Sequence, residues 1–427
     1  MSELDRRQFV KRSLAVVGAG SVGALGGALA ESELRSSPPP PSAATQSRAV
    51  LSEELRSRVP FDGPHQAGIL TPAPAQAQAM FVALDSIAPN RELLAEALQT
   101  LCTRARSLTQ GETVGAQEID DPPPDSGILG PVDTPDALTV TIAFGASLFD
   151  ERYDLAARRP KLLRQMPSFA GNELDPTRSH GDLLLQVCAG HRDTVAHTVR
   201  ELLRVVTGRL TTRWSIDGFQ SVRRGPSPHN SPRNLFAFRD GTANPDVADA
   251  SLMNRLIWVQ PGSGEPAWTV GGTYLVARAI RMHVEFWDRV GMFEQQNMIG
   301  RDRVTGAPLG GSDEFQEPRY ELDPHGNRIP LNAHIRLANP RTPATADQRI
   351  LRRGYNYDRG IDEAGDLDQG LMFVAFNQDV RRQFETIQTR LTEEPMIDYI
   401  TPVGGGYFFA PPGARGPGDW VGSRLFT

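Results

Sequence analysis

The chain is poor in cysteine, has no long apolar run beyond its first thirty residues, and carries no excess of positive charge. Two cysteines in 427 residues, Cys102 and Cys188, are too few for a disulfide framework, and no Cys-x-x-Cys-His run could anchor a cofactor covalently. Both lie in apolar stretches and are expected to be buried free thiols. No later segment is long and apolar enough to span a bilayer. Walker, dinucleotide-glycine and Cys/His zinc patterns are all missing. The 45 basic residues, mostly scattered arginine, face 51 acidic ones, for a formal charge of -6 and a pI near 5.8. That balance speaks against a nucleic-acid partner.

The N-terminus is distinctive. Asp5-Arg-Arg-Gln-Phe-Val-Lys11 precedes an uncharged stretch from Ser13 to Ala30, rich in Ala, Gly, Val and Leu, which closes on Ala28-Leu29-Ala30. Paired arginines, weak hydrophobicity and a small-x-small end read as a twin-arginine export signal, residues 1–30, rather than an anchor. Such a signal implies the twin-arginine machinery as a partner and a periplasmic or extracellular destination. Residues 31–60 hold a Pro-rich stretch, Ser36 to Ser42, expected as an extended spacer. About 397 residues remain after the signal, enough for one large domain or two similar ones.

Strand-like runs alternate with amphipathic helices. Met80–Leu84 is followed, after the N-cap candidate Asn90, by a stripe of Leu94, Leu98, Leu101, Ala105 and Leu108. Ala137–Phe144 alternates as an antiparallel strand does. Asp182–Cys188 precedes a helix striped by Val195, Val199, Leu202, Leu203 and Val206, with Gly208 to stop it. Gly272–Arg278 leads to a third helix carrying Val284, Phe286 and Trp287; Leu371–Phe376 leads to a fourth with Val380, Phe384, Ile387 and Leu391. Four such units with interposed strands fit two β-α-β-β-α-β copies, an α+β chain with antiparallel sheets. Periodicity alone leaves a doubly wound parallel sheet open. A boundary is expected between Thr211 and Pro232, dividing residues 61–220 from 221–427, and Glu118–Ser126 and Gly300–Pro330 read as polar loops.

Three runs carry chemistry: Phe238-Arg-Asp-Gly-Thr-Ala-Asn-Pro245, Leu331-Asn-Ala-His-Ile-Arg-Leu-Ala-Asn-Pro-Arg341 and Ile350-Leu-Arg-Arg-Gly-Tyr-Asn-Tyr357. An imidazole, a carboxylate in an Asp-Gly turn and an Arg pair can supply a metal ligand, a proton shuttle and a cation for developing negative charge. Each run resembles a signature of the dye-decolorising peroxidases, in particular their exported deferrochelatase/peroxidase branch. The likeness extends from Gly63 to Ala410.

The resemblance implies tandem ferredoxin-like domains in a dimeric α+β barrel-like peroxidase fold, with the cofactor in the second half. That cofactor is non-covalent haem b, one per chain. By position, His334 is the axial iron ligand, Asp240 the distal carboxylate and Arg352 the distal arginine, with Arg353 its near neighbour. Gly241, Thr242, Ala243, Asn339, Pro340 and Arg341 match haem-lining positions, Arg341 facing a propionate. Asp398, in Glu393-Glu-Pro-Met-Ile-Asp398, is the expected carboxylate partner of His334. Ala237 stands where the family motif has glycine, so either the backbone is ordinary there or the distal loop sits differently.

The implied activity is peroxidase: hydrogen peroxide oxidises the iron to a ferryl state, and a phenolic or dye-like donor restores it. Alternatives are deferrochelatase activity, with haem as substrate and iron-uptake proteins as partners, and a non-catalytic haem carrier. Asp240 and Arg352 argue against mere carriage. Tyr355, Tyr357, Trp258 and Trp287 are read as core residues, with electron relay the alternative. Homo-oligomerisation is left open.

Overall fold

Each half of the chain builds a four-stranded antiparallel sheet with the same strand order. The computed structural model describes residues 53–112, 119–224 and 230–427; the twin-arginine run and the polyproline stretch lie outside the described residues. The first half supplies β1 (Gln78–Ser86), α1 (Arg91–Gln110), β2 (Thr139–Gly145), β3 (Leu183–Ala189), α2 (Arg192–Val205) and β4 (Leu210–Phe219), with the strands side by side as β2-β3-β1-β4. The second supplies β5 (Thr273–Met282), β6 (Leu351–Arg352), β7 (Tyr355–Ile361), β8 (Leu367–Asn377) and β9 (Ile400–Ala410), ordered β9-β5-β8-β7. Phe144 of β2 faces Phe409 of β9, and Phe219 of β4 faces Asn356 of β7. These two seams close eight strands into a ring, with β6 added beside β8. Every strand pairing is antiparallel, which removes the doubly wound alternative.

Period-two alternation divides each strand between two cores. Val82, Leu84, Val140, Ile142, Leu183, Leu185 and Val187 face outward and pack beneath α1 and α2. Ala79, Phe81, Ala83, Leu184 and Cys188 face into the ring, where they meet Leu275, Val374, Phe376 and Phe408 of the second half. The first helix forms as its sequence requires. Asn90 Oδ1 accepts from Leu93 N at 2.9 Å, the Leu94–Leu98–Leu101–Leu108 stripe is buried, and Gly111 ends the helix at φ 72.

The second half departs from the expected pattern. Its remaining helices are α3 (Ala250–Leu256), α4 (Val284–Trp287), α5 (Met292–Ile299), α6 (His334–Ala338) and α7 (Thr386–Arg390). The helix expected after β5 is one turn, α4, with Phe286 half exposed; the one after β8 is a π-helical turn, Arg381–Glu385, running into α7. These elements are too short to roof the outer face of their sheet. Along that face Arg278 lies beside Phe373, and Ile280 beside Leu371 and Pro402. All five line a cavity instead of a helix interface.

Candidate active site

The segment before α6 is irregular but not passive. Tyr320, Ile329 and Ala333 form a small core of their own, and Asp323 accepts from Ile329 N at 3.0 Å and pairs with Arg336 at 3.2 Å. This anchoring places His334 on the first turn of α6, facing the cavity. Its Nδ1 lies 2.6 Å from Glu394 Oε2, and Glu394 is 3 % exposed. A carboxylate only accepts, so Nδ1 donates and Nε2 is left with its lone pair for a metal. Burial pushes the His334 pKa down, but the Glu394 carboxylate outweighs it and the net shift is upward.

Asp398 is therefore not the partner. Glu394 is the extended residue that caps the Pro395–Tyr399 3-10 turn, and its side chain turns inward. Asp398 lies within that turn on its exposed side. The sequence stretch was the right one; the backbone reversal at Pro395 decides which of its carboxylates is buried.

Asp240 and Arg352 meet across the same cavity, Arg352 Nη1 to Asp240 Oδ1 at 2.9 Å. Asn244 ties their two elements together, its side chain donating to Arg352 O at 2.7 Å and accepting from Arg352 N at 3.0 Å. Strand alternation separates the neighbouring arginines. Leu351 packs inside the ring and Arg352 faces the cavity, while the guanidinium of Arg353 donates to Pro72 O and Gln76 Oε1, each at 2.8 Å. Thr242, Ala243, Asn339 and Arg341 also line the cavity. Gly241, at φ 91, borders an adjoining cavity that shares Asp240 and Arg352, and Pro340 is on neither wall.

Ala237 takes φ 67, the left-handed conformation that glycine favours. The backbone there is therefore not ordinary: alanine occupies a conformation that glycine favours. Asn234 holds the turn by accepting at Oδ1 from Phe236 N and Phe238 N, at 3.1 and 3.2 Å.

Cations crowd the polar end of the cavity. Arg301 is buried, and its Nη1 donates to Gly306 O and Glu314 O. Arg341, at φ 58, pairs with the exposed Glu317 at 2.8 Å. Arg349 has a buried Nε without a hydrogen-bond acceptor among the described residues; burial first and Arg341 second lower its pKa. A free imidazole nitrogen, apolar walls of Ile280, Met282, Phe373 and Ile387, and guanidiniums short of acceptors suit a flat macrocycle with acidic side groups. Haem fits this donor set.

Comparison with known proteins agrees. The model of the Dyp-type peroxidase N-terminal region matches residues 66–220, and that of the C-terminal region matches 231–415. The chain belongs to the Dyp-type peroxidase family. It is 46% identical over 381 residues to a deferrochelatase of Escherichia coli O6:K15:H31, covering 88% of this chain and 89% of that protein. A deferrochelatase of Yersinia pestis bv. Antiqua is 44% identical over 378 residues, covering 88% and 87%. Among solved structures, a DyP-type peroxidase from Cellulomonas bogoriensis superposes with a TM-score of 0.76 at 36% identity, covering 87% of this chain and 99% of that one. Membership makes the protein a haem-dependent enzyme with the tandem ferredoxin-like fold.

Sequence reasoning missed Glu394, the Asn244 clamp, Arg349 and Glu314. Glu314 lies in the expected polar loop, 3 % exposed, and accepts from Thr242 Oγ1 at 2.9 Å and Ser231 N at 3.0 Å. Asn244 stood inside the quoted Asp240 run and could have been read as its brace. Nothing local marks Glu314 as buried. The four aromatics raised for electron relay are all core: Trp258, Tyr355 and Tyr357 in the ring interior, and Trp287 against Phe236 and Phe238.

Proposed function

We propose that this chain is an exported peroxidase that binds one non-covalent haem b through His334 and uses hydrogen peroxide to oxidise phenolic or dye-like donors. The observation that carries the reading is the Asp240–Arg352 pair at 2.9 Å on the wall of the cavity that His334 faces. A haem carrier has no use for such a pair. Cys102 and Cys188 are buried in the two cores, away from the cavity, which supports non-covalent attachment.

Haem, when bound, supplies the redox-active iron. The chain supplies the proton and charge chemistry. His334 Nε2 would hold the iron, with Glu394 fixing the ring's orientation through Nδ1 and strengthening it as a donor. Asp240, on the cavity wall beside Arg352, would accept a proton from one peroxide oxygen and return it to the other, so that water leaves. Arg352 keeps a cation beside the carboxylate and beside the charge that develops as the O–O bond polarises.

A second reading is iron release from haem with the porphyrin intact, favoured by the relatives named deferrochelatase. Product analysis separates the two. Purified protein given peroxide and a phenolic dye should yield oxidised dye, with haem recovered intact. Free protoporphyrin from supplied haem, without dye oxidation, would replace the first reading by the second. Export rests on Arg6-Arg7 and the apolar stretch after it. Replacing both arginines by lysine should hold the protein in the cytoplasm, and unchanged export would end that assignment.

A further inference from the structure

We infer that Asp125, Asp133 and His197 form a binding site for one divalent transition-metal cation in the first half of the chain, remote from the haem cavity. The carboxylates come from the connection between α1 and β2, and His197 comes from α2. All three are buried, with one ligand atom from each within 4.8 Å of the others. His197 Nε2 lies 3.1 Å from Asp133 Oδ2 and 3.4 Å from Asp125 Oδ2. Ligand atoms about 2.1 Å from a tetrahedral ion stand about 3.4 Å apart, so the spacing suits such an ion.

Hydrogen bonding among the three side chains is incomplete. One Nε2–H cannot be directed at both carboxylates, and among the described residues Asp125 Oδ2 is buried without a hydrogen bond, as is Asp133 Oδ1. The opposite ring nitrogen, Nδ1, is 2.7 Å from Ser126 Oγ, which also accepts from Ile128 N at 3.4 Å. With the ring proton on Nδ1 and donated to Ser126 Oγ, the Nε2 lone pair faces the carboxylates. That arrangement is repulsive until a cation enters between them.

Charge balance agrees. Asp125, Asp133, Glu112 and Glu201 stand against two guanidiniums: Arg104, which reaches Glu112, Glu201 at 3.0 Å and Asp125 at 3.5 Å, and Arg204, which reaches Glu201. With neutral His197, four carboxylates against two arginines leave two negative charges, which one divalent ion neutralises. Two oxygens and an imidazole suit Zn²⁺, Fe²⁺ or Mn²⁺ better than Ca²⁺, which prefers oxygen alone. None of the three residues lines the haem cavity. The ion would pin the α1–β2 connection to α2.

The competing arrangement is a direct hydrogen bond from His197 Nε2–H to Asp133 with no ion between them. Haem-loaded protein stripped with a chelator and titrated with Zn²⁺ by calorimetry should take up one ion per chain, with Mn²⁺ binding more weakly. Asp133→Asn and His197→Gln should each weaken Zn²⁺ by about a hundredfold or more while the Soret band stays unchanged. Zn²⁺ should also raise the melting temperature of the parent but of neither variant. No uptake by the parent, or equal uptake by parent and Asp133→Asn, would overturn the site. Should the variants fail to fold, X-ray absorption at the zinc edge of the parent decides. One imidazole with oxygen neighbours supports the site, and sulfur or several imidazoles refutes it.

Discussion

Leu98 on α1 and Phe373 on β8 stand over the outer faces of two sheets with the same strand order, yet Leu98 is fully buried and Phe373 borders a cavity. In the first half, helices of 20 and 14 residues cover the sheet. In the second, the corresponding elements are a four-residue turn and a π-turn leading into five residues of helix. Shortening the helices exposes a sheet face without disturbing the ring, whose interior core draws on both halves. The second half can then carry groups that no packed interface tolerates. Arg278 is 3 % exposed, has no carboxylate partner among the described residues, hydrogen-bonds to Asn172 and Gln388, and has its pKa pushed down to about 10 by burial. One repeat holds the fold while the other holds the chemistry.

The sharpest way to break that division is to exchange its symptoms. His334→Ala should lose most bound haem and the parental Soret band while leaving the cooperative unfolding of the haem-free chain nearly unchanged. Leu98→Ala should do the reverse, costing about 2–5 kcal/mol of stability with the Soret band and turnover retained. Urea titration with haem quantitation checks both. A His334→Ala protein with full parental haem content would show that another residue ligates the iron.

Next in size are the distal groups. Arg352→Leu removes a placed cation, worth on the order of 3 kcal/mol or about a hundredfold in rate. Asp240→Asn keeps shape but removes the proton acceptor, a loss of about 10²–10⁴-fold. The overlap means magnitude alone cannot rank them, although we expect the larger effect at Arg352. Stopped-flow mixing with peroxide across pH separates the roles: Asp240→Asn should lose the acid limb of the profile, and Arg352→Leu should keep it. Parental rates in Arg352→Leu would remove that residue from the mechanism.

The sequence shows the packed half more plainly than the functional one. The α1 stripe and its Asn90 cap are local signals, and both are realised, because a long helix on a sheet obeys one periodicity. The runs around Asp240, His334 and Arg352 are equally visible, and the structure brings all three to one cavity. What it hides is set by backbone reversals and long-range contacts. His334 stands in an apolar run that reads as extended, yet it opens a helix anchored by Asp323 and Arg336, eleven and two residues away in the chain. Glu394 and Asp398 share one stretch, and only the turn at Pro395 separates buried from exposed. Testing that pair gives the next smaller effect. Glu394→Gln keeps the hydrogen-bonding shape but not the charge, and should lower haem retention or turnover by about 10–100-fold, whereas Asp398→Asn should change neither. The reverse result would restore Asp398 as the partner.

The smallest effect is expected at Ala237, which with Arg341 is one of two non-glycine residues of the active half at positive φ among the described residues. Ala237 at φ 67 adopts a conformation that costs a non-glycine residue about 1–2 kcal/mol. Backbone contacts add to the Asn234 side-chain bonds that maintain it: Ala237 N donates to Asn234 O at 2.9 Å, and Asn234 N donates to Phe238 O at 2.9 Å. Ala237→Gly relieves the strain but gives the unfolded chain more freedom, an opposing term of about 0.5–1 kcal/mol. The net expectation is stabilisation by about 0.5–1 kcal/mol, read from a urea midpoint at constant m-value. Asp240 is only three residues on, so peroxide kinetics should be measured on the same variant. Unchanged rates with higher stability mean the strain is incidental and Asn234 alone sets the loop. Higher stability with slower reaction means the alanine stiffens the turn that aims Asp240, and lower stability would show that the left-handed turn is not strained at this site.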